Sequence, residues 1–217
     1  MKAIVLFGSP GSGKGTQAKM LTQCLAIPHI STGDMLRDRI RSGTECGTAM
    51  EATMQSGALV SDAVVNEMVK ERLSEPDAAN GFILDGYPRT LDQARHLASW
   101  LLGRGIHELV IHLAVDYNVI IARLTGRRQC PLCGTLYNVA SHPPKVDELC
   151  DLDGQKLVIR DDDSETVIRG RLDAYDRQTK PVLEFFQTSG HRVIRVDADS
   201  DPPEKVFERI RRAMESA

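Results

Sequence analysis

A glycine-rich segment near the start of the chain has the composition of a phosphate-binding loop. Residues 8–16 read GSPGSGKGT and lie between an apolar run and a segment with helical character. Glycines allow backbone N–H groups to turn inward around phosphate oxygens, and the following helix adds the positive end of its dipole. Lys14 would bring its positive charge to the β and γ phosphates of a nucleotide. Gly15 follows the lysine where a general P-loop NTPase has Ser or Thr, which disfavours that class.

Three cysteines and an aspartate have the spacing of a metal site. Two residues separate Cys130 from Cys133 and Cys150 from Asp153, and sixteen residues separate the two halves. This spacing is typical of a zinc ribbon with a carboxylate as fourth ligand. Four protein ligands leave no open position, so the sequence predicts a structural Zn²⁺ that folds a segment with few apolar residues. The alternatives are His142 as fourth ligand, iron as the metal, or incidental thiols without metal.

Arginines recur near the phosphate loop, the cysteines and the apolar segments. A guanidinium group suits phosphate because it donates paired hydrogen bonds in one plane. A solvated helix face is an equally good interpretation of any single arginine. This alternative is weaker for Arg89, which follows an apolar run in a Gly-Tyr-Pro-Arg turn, where parallel sheets bind ligands. The candidates are Arg37, Arg89, Arg123, Arg127, Arg160 and Arg171.

Length and composition limit the class of protein. The chain has 217 residues, 41% hydrophobic and 26% charged, which suits one α/β core with inserted subdomains. The net charge of −3 and the absence of an aromatic stacking series argue against a nucleic-acid partner. No apolar stretch approaches the roughly 20 residues of a spanning helix, so no membrane partner is expected. We expect a cytoplasmic protein, and a monomer because the core accounts for the apolar stripes.

Short apolar runs alternate with amphipathic segments along most of the chain. This alternation predicts a parallel sheet covered by helices. Caps at Ser31 or Thr32, at Asp116 and at Asp201 predict where three of the helices begin. Strands are predicted at 3–7, 82–84, 109–115 and 192–196, and helices at 14–24, from 32 past 39, from 61 through 73, at 91–102, from 116 to 124, at 164–186 and after 201.

Two segments interrupt the alternation and are predicted to be insertions. Residues 126–163, called the lid below, contain the cysteines, prolines and glycines and have little helical periodicity. Residues 31–60 are expected to be a second, purely helical insertion. The predicted fold is therefore an α/β P-loop core, formed by 1–30, 61–125 and 164–217, with two inserted subdomains.

The chain resembles adenylate kinases along nearly its whole length, and most closely the long-lid, metal-binding bacterial form. One such motif would be weak evidence, but six in the right order are highly specific. The matching segments are 8–17, 31–37, 57–60, 81–90 with Gln93, 126–128 and 160–171. The resemblance also accounts for Gly15, since the nucleoside-monophosphate kinases share this form of the loop.

The resemblance implies two nucleotide sites. Thr32 and Gln93 are the predicted readers of the AMP base, because an amide both donates and accepts hydrogen bonds. The implied AMP site consists of Thr32, Arg37, Ala58, Leu59, Val60, Gly86, Arg89, Gln93, Arg160 and Arg171. The implied ATP site consists of Gly11, Ser12, Gly13, Lys14, Gly15, Thr16, Arg123, Arg127, Leu136, Tyr137 and Ser200.

The implied reaction is reversible transfer of a phosphoryl group from Mg-ATP to AMP, giving two ADP. Lys14, Asp85, Arg89, Arg127, Arg160 and Arg171 are the predicted catalytic residues. Asp85 would hold Mg²⁺ through water molecules, as carboxylates commonly do for this ion; its alternative role is a strand-end cap. Two competing hypotheses are a kinase for UMP, CMP or GMP and a zinc-ribbon binding module on an inactive nucleotide-binding scaffold. Closure of both insertions over the nucleotides, with Gly126 as one hinge, would exclude water.

Overall fold

A parallel β-sheet forms the centre of the fold in a computed structural model that describes residues 2–43, 45–199 and 201–216. Within those residues, five strands form this sheet in the order β2-β3-β1-β4-β7, and β5 and β6 form a separate antiparallel pair. The strands are β1 (Lys2–Phe7), β2 (His29–Ser31), β3 (Gly81–Asp85), β4 (Glu108–Ala114), β5 (Arg127–Gln129), β6 (Leu136–Asn138) and β7 (Arg192–Asp197).

Helices cover both faces of this sheet. They are α1 (Lys14–Leu25), α2 (Thr32–Arg41), α3 (Glu45–Gln55), α4 (Asp62–Leu73), α5 (Leu91–Leu102), α6 (Tyr117–Thr125), α7 (Glu165–Ala174), α8 (Lys180–Thr188) and α9 (Pro203–Glu215). Short 3-10 turns occupy Pro76–Asn80 and Asp161–Asp163, and a π-helical turn, Tyr175–Thr179, joins α7 to α8.

The central strand β1 explains why the sequence there is continuously apolar. Val5 faces a core layer that includes residues of α4, α5 and α8, whereas Ile4 and Leu6 face a layer with α1 and α9. Both faces are therefore buried, and no polar side is left for an alternating pattern. The register pairs Val5 with Leu84 and Val110, so the carboxyl ends of β1, β3 and β4 meet at one edge.

Most predicted elements are confirmed, and the differences have local causes. Ser31 caps α2 by accepting the amide of Asp34 at 3.3 Å, and Asp116 caps α6. Asp201 does not cap α9, which begins at Pro203, because its carboxylate pairs with Arg209. The predicted helix 164–186 is in fact α7, the π-helical turn and α8. The strand β2 was not predicted.

The lid has little apolar core of its own. Its buried cluster consists of Cys130, Tyr137, Cys150 and Leu157, around the β5–β6 pair. Other large apolar lid residues are exposed, among them Leu132 and Leu152. The lid therefore depends on interactions other than hydrophobic burial for its fold. No helix in the described part of the chain has the length and apolar character to cross a membrane.

Candidate active site

The loop after β1 has a positive-φ backbone at Gly11 and at Gly13, which favours glycine at both positions. Gly11 has φ +79°, and a β-carbon there would lie 2.9 Å from the Leu124 side chain. Gly13, with φ +95°, directly precedes α1, and no described atom lies within 4 Å of where its β-carbon would be. The loop therefore leaves open space beside the N-terminal end of α1, where an anion is favoured.

The ammonium group of Lys14 is held over this loop. Its Nζ donates to the carbonyl oxygens of Gly8 and Ser9 at 2.8 Å each and approaches the Ser12 hydroxyl at 3.4 Å. Burial lowers the pKa of Lys14 to about 8, and the nearby arginines contribute to the shift against the opposing effect of Asp85. An anionic ligand would stabilise this charge, because the site makes the ammonium costly without one.

Asp85 ends β3 beside the loop, at the edge where the strands meet. Its Oδ2 lies 3.2 Å from Nε2 of His29 and 3.5 Å from where a β-carbon on Gly15 would be. Burial opposes the charged form, but the His29 hydrogen bond and Lys14 hold the pKa of Asp85 below its usual value. The carboxylate is therefore ionised next to the phosphate loop, which fits a water-mediated Mg²⁺ position.

Two buried aspartates organise the arginines of the lid and α7. Asp163 pairs with both Nε and Nη2 of Arg127, the Nε contact measuring 2.7 Å, and lies 3.2 Å from Nη1 of Arg171. Asp162 contacts the same Nη1 of Arg171 at 2.9 Å and Arg37 at 3.7 Å. These acids orient guanidinium groups from three parts of the chain toward one cavity.

Arg89 and Arg160 complete the cationic cluster. Nε of Arg89 donates to the Gly86 carbonyl at 2.7 Å, and Nε of Arg160 donates to Gln129 at 2.5 Å. Burial, followed by repulsion from neighbouring arginines, lowers the pKa of each to about 10. Such concentrated and partly desolvated positive charge is suited to binding phosphate groups.

The side chains predicted to bind AMP surround the far end of the same cavity. Thr32 donates to the Gly86 carbonyl at 2.8 Å. Gln93 is buried; its Oε1 accepts the Arg89 amide and its Nε2 donates to Asp62, both at 2.7 Å. Each end of an amide can make a second hydrogen bond, which leaves capacity for a base. Nε of Arg37 is buried and has no hydrogen-bond partner within the described residues.

The lid contacts the core on the side predicted to bind ATP. Lys19 of α1 donates to the Gly134 carbonyl at 3.1 Å, and the Leu136 side chain lies 3.9 Å from a β-carbon built on Gly15. The Tyr137 ring belongs to the lid interior, where its hydroxyl accepts the amide of Asp151 at 2.8 Å. Any ligand contact from Tyr137 is therefore expected from its backbone or ring edge.

One cavity of about 920 Å³ joins these groups. Its lining includes all the predicted catalytic and nucleotide-binding residues except Ser200, which lies outside the described residues. His29, Asp34 and Asp162 also line the cavity but were not predicted as site residues. Asp34 and Asp162 fall within matched motifs, which was an available signal, whereas nothing in the local sequence distinguishes His29. The predicted residues that line the cavity are Gly11, Ser12, Gly13, Lys14, Gly15, Thr16, Thr32, Arg37, Ala58, Leu59, Val60, Asp85, Gly86, Arg89, Gln93, Arg123, Arg127, Leu136, Tyr137, Arg160 and Arg171.

The four predicted metal ligands form a compact cluster. One ligand atom from each of Cys130, Cys133, Cys150 and Asp153 lies within 4.8 Å of all the others. The sulfurs of Cys133 and Cys150 are 3.6 Å apart, and the carboxylate approaches the Cys130 sulfur at 3.2 Å. Tetrahedral zinc, with Zn–S bonds of about 2.3 Å, would separate two sulfurs by about 3.8 Å. The donors therefore fit zinc; His142, the alternative ligand, stacks on Tyr137 instead.

Comparisons with known proteins agree with this geometry. The profile of a protein family described as "Adenylate kinase" matches residues 6–191. The chain is 48% identical over 200 residues to an adenylate kinase of Oceanobacillus iheyensis, covering 91% of this chain and 92% of the relative. It is 49% identical over 188 residues to one of Moorella thermoacetica, covering 86% and 87%. A relative of that name in Nitrosococcus oceani is 43% identical over 216 residues, covering 98% of each chain. The chain belongs to the adenylate kinase family.

Proposed function

We propose that this chain transfers the γ-phosphoryl group of Mg-ATP reversibly to AMP, giving two ADP. The observation that carries the proposal is that one cavity is lined by the phosphate loop with Lys14, by Thr32 and Gln93, and by the buried arginines. Phosphoryl transfer needs positioning and neutralisation of charge, with little covalent chemistry from the protein. A cavity that collects fixed cations between two nucleotide sites meets that need.

The phosphate groups of both nucleotides would be held by the cationic residues. Lys14 and the loop amides bind the β and γ phosphates of ATP, while Arg37 and Arg89 bind the phosphate of AMP. Arg127, Arg160 and Arg171 surround the group in transfer and stabilise the charge on its oxygens. Asp163 and Asp162 hold the guanidinium groups of Arg127 and Arg171 in place before the substrates arrive, and Gln129 holds that of Arg160, so less reorganisation accompanies the reaction.

Base selection would depend on the two sides of the cavity. Thr32 and Gln93, with the backbone of Ala58, Leu59 and Val60, form the AMP side. The free hydrogen-bonding capacity of the Gln93 amide matches the donor and acceptor edge of adenine. On the ATP side, Arg123, Leu136 and Tyr137 contact the nucleotide, and we retain Ser200 as a prediction.

Two metal ions have separate proposed roles. Mg²⁺, when bound with ATP, would neutralise part of the phosphate charge. Asp85 would orient it through water molecules, and His29 keeps that carboxylate ionised and fixed. In the lid, Cys130, Cys133, Cys150 and Asp153 would hold a structural Zn²⁺. This ion would supply folding energy that the small apolar cluster of the lid lacks.

Water exclusion is the proposed reason for the two insertions. Residues 31–60 and the lid would close over the core formed by 1–30, 61–125 and 164–217, so that AMP rather than water accepts the phosphoryl group. The contact of Lys19 with Gly134 is one that such closure would form. A cytoplasmic monomer remains our prediction, and sedimentation velocity would test the oligomeric state.

A comparison of phosphoryl acceptors tests this function. The zinc-loaded protein is mixed with Mg-ATP and AMP, UMP, CMP, GMP or no acceptor, and ADP formation is followed. We expect rapid ADP formation only in the mixture of Mg-ATP with AMP. Preference for another monophosphate would retain the phosphate chemistry but refute Thr32 and Gln93 as selectors of adenine. Folded protein without transfer to any acceptor would refute the proposal.

A further inference from the structure

The root of the lid, meaning the end of the β5–β6 pair formed by Arg127 and Asn138, is connected to the core through the Asn138 side chain. Asn138 has no part in the proposed phosphate chemistry. Asn138 is the last residue of β6 and lies opposite Arg127, the first residue of β5, in the antiparallel pair. The chain therefore enters and leaves the β-ribbon of the lid at this level. Whatever fixes Asn138 also fixes the position of Arg127 relative to α6, the helix that precedes the lid.

The Asn138 side chain makes hydrogen bonds to both the lid and the core. Its Nδ2 donates to the backbone carbonyl of Arg123, near the end of α6, at 3.0 Å. Its Oδ1 accepts the amides of Ala140 and Ser141, at 3.0 Å each, which closes the turn that follows β6. One side chain thus connects the turn in the lid with the helix in the core.

The packing around this connection is close. A β-carbon on Gly126 would lie 2.8 Å from Nδ2 of Asn138, so the amide occupies the space directly over the last residues of α6. The Val139 amide donates to the Gly126 carbonyl at 2.9 Å, which adds a backbone bond at the same level. The Asn138 bond to Arg123 is therefore held in a fixed geometry.

Arg123 extends the connection to the opposite wall of the cavity. Its Nη2 donates to the carbonyls of Ala198 and Asp199, at 2.7 and 2.8 Å, in the segment after β7. That segment and Arg123 both line the cavity on the ATP side. Arg123 thus connects with the 198–199 segment through its guanidinium group and with the lid through its carbonyl.

We infer that Asn138 is a positioning residue for ATP, which holds the root of the lid against α6 so that Arg123 and Arg127 face the nucleotide together. This inference rests on the proposed function. Losing the connection would let the lid root move relative to α6, which weakens ATP binding and leaves the AMP side, built on α2, β3 and α5, unaffected. The expected loss is roughly five- to tenfold in ATP affinity, the value of one or two hydrogen bonds to partly buried groups.

Two substitutions distinguish the hydrogen bond to the Arg123 carbonyl from the hydrogen bonds that close the turn after β6. In Asn138→Ala all three hydrogen bonds are lost. In Asn138→Asp the carboxylate still accepts the amides of Ala140 and Ser141 but has no N–H for the Arg123 carbonyl. Asn118→Ala is the matched control, because Asn118 is an exposed asparagine in the first turn of α6. The measurements are Kd for Mg-ATP and for AMP by calorimetry, KM and kcat for both substrates, bound zinc, and hydrogen exchange of the two turn amides.

Both Asn138 variants should raise Kd and KM for ATP roughly five- to tenfold. Kd and KM for AMP should stay within about twofold of the wild-type values, and bound zinc should be retained. Turn amides should stay protected in Asn138→Asp and lose protection in Asn138→Ala. Wild-type ATP affinity in both variants, or in Asn138→Asp alone, would overturn the inference. An equal weakening of ATP and AMP would also overturn it. Absence of transfer in the wild-type protein would instead refute the proposed function, while the Kd values would still test Asn138.

Discussion

Replacing Asp163 by asparagine is expected to destabilise the folded protein by about 3–5 kcal/mol, the usual cost of breaking a buried ion pair from one side. The Asp163 side chain is 0% exposed and contacts the guanidinium groups of Arg127 and Arg171. Asparagine has nearly the same shape, so the substitution removes charge without opening a cavity. Both arginines then keep their charge with fewer compensating partners.

This free energy corresponds to a large change in melting temperature. For a chain of this size, 1 kcal/mol changes Tm by about 2–4 °C. The expected decrease for Asp163→Asn is therefore about 6–20 °C. A ligand that brings phosphates to Arg127 and Arg171 would replace part of the lost negative charge, so Mg-ATP with AMP should raise Tm more in the variant than in the wild type.

Thermal unfolding followed by circular dichroism measures both effects. Asp161→Asn is the control, because Asp161 is in the same 3-10 turn but is exposed. That variant should melt within about 2 °C of the wild type, as surface substitutions usually do. A decrease below about 2 °C for Asp163→Asn, or the same decrease for both variants, would refute the view that Asp163 compensates the buried arginines.

Three further predictions test other parts of the site. Lys14→Met should lower kcat/KM by a factor of about 10³ or more with little change in Tm, as is typical of removing a charge that stabilises the transition state. In the wild type, KM for ATP should increase above about pH 8, where the free Lys14 ammonium loses its proton. A KM for ATP that stays constant up to about pH 9.5 would contradict the role assigned to Lys14. Cys150→Ser should abolish stoichiometric zinc, measured by metal release, and raise KM for ATP, whereas the exposed Cys24→Ser should behave as wild type; retention of full zinc content would exclude Cys150 as a ligand. Gly170→Ala should raise KM for AMP severalfold, because its β-carbon would lie 2.8 Å from the Ser56 carbonyl and displace the 31–60 insertion, whereas Gly103→Ala, at an ordinary 3.4 Å contact, should not.

Local sequence patterns predicted where the phosphate loop lies and which four side chains form the candidate metal cluster. The loop needs glycines and a lysine between a strand and a helix, and β1, the loop and α1 have that order. Two residues separate Cys130 from Cys133 and Cys150 from Asp153, so each half of the site places its two ligands close together. The contact between the halves, such as the 3.6 Å approach of the Cys133 and Cys150 sulfurs, was predicted from the spacing typical of zinc ribbons and not from proximity in the chain.

Contacts between distant residues that belong to no recognised motif were the part that the sequence did not predict. His29 and Asp85 are 56 positions apart and meet because β2 pairs with β3. The strand β2 has only 3 residues, too few for a periodic pattern. Asp163 resembles a surface acid in the sequence, and only the fold shows that it is buried between two arginines.

Competition between partners explains the helix start that was predicted wrongly. Asp201 precedes two prolines and a glutamate, which is a favourable sequence for a capping aspartate. In the structure its carboxylate pairs with Arg209, almost two turns into α9, and the helix begins after Pro202. The Asp201 carboxylate therefore binds a charged side chain of the same helix, whereas the pattern predicted that it would accept the backbone amides at the start of the helix.

The most direct test of the account is ³¹P NMR of the zinc-loaded protein with equal amounts of Mg-ATP and AMP. The account predicts that ATP and AMP signals decrease together, that two ADP form for each ATP consumed, and that inorganic phosphate does not accumulate. Starting from Mg²⁺ and ADP, the same mixture should be reached from the other direction. Release of inorganic phosphate with AMP unchanged would contradict the account, because the cavity would then deliver the phosphoryl group to water.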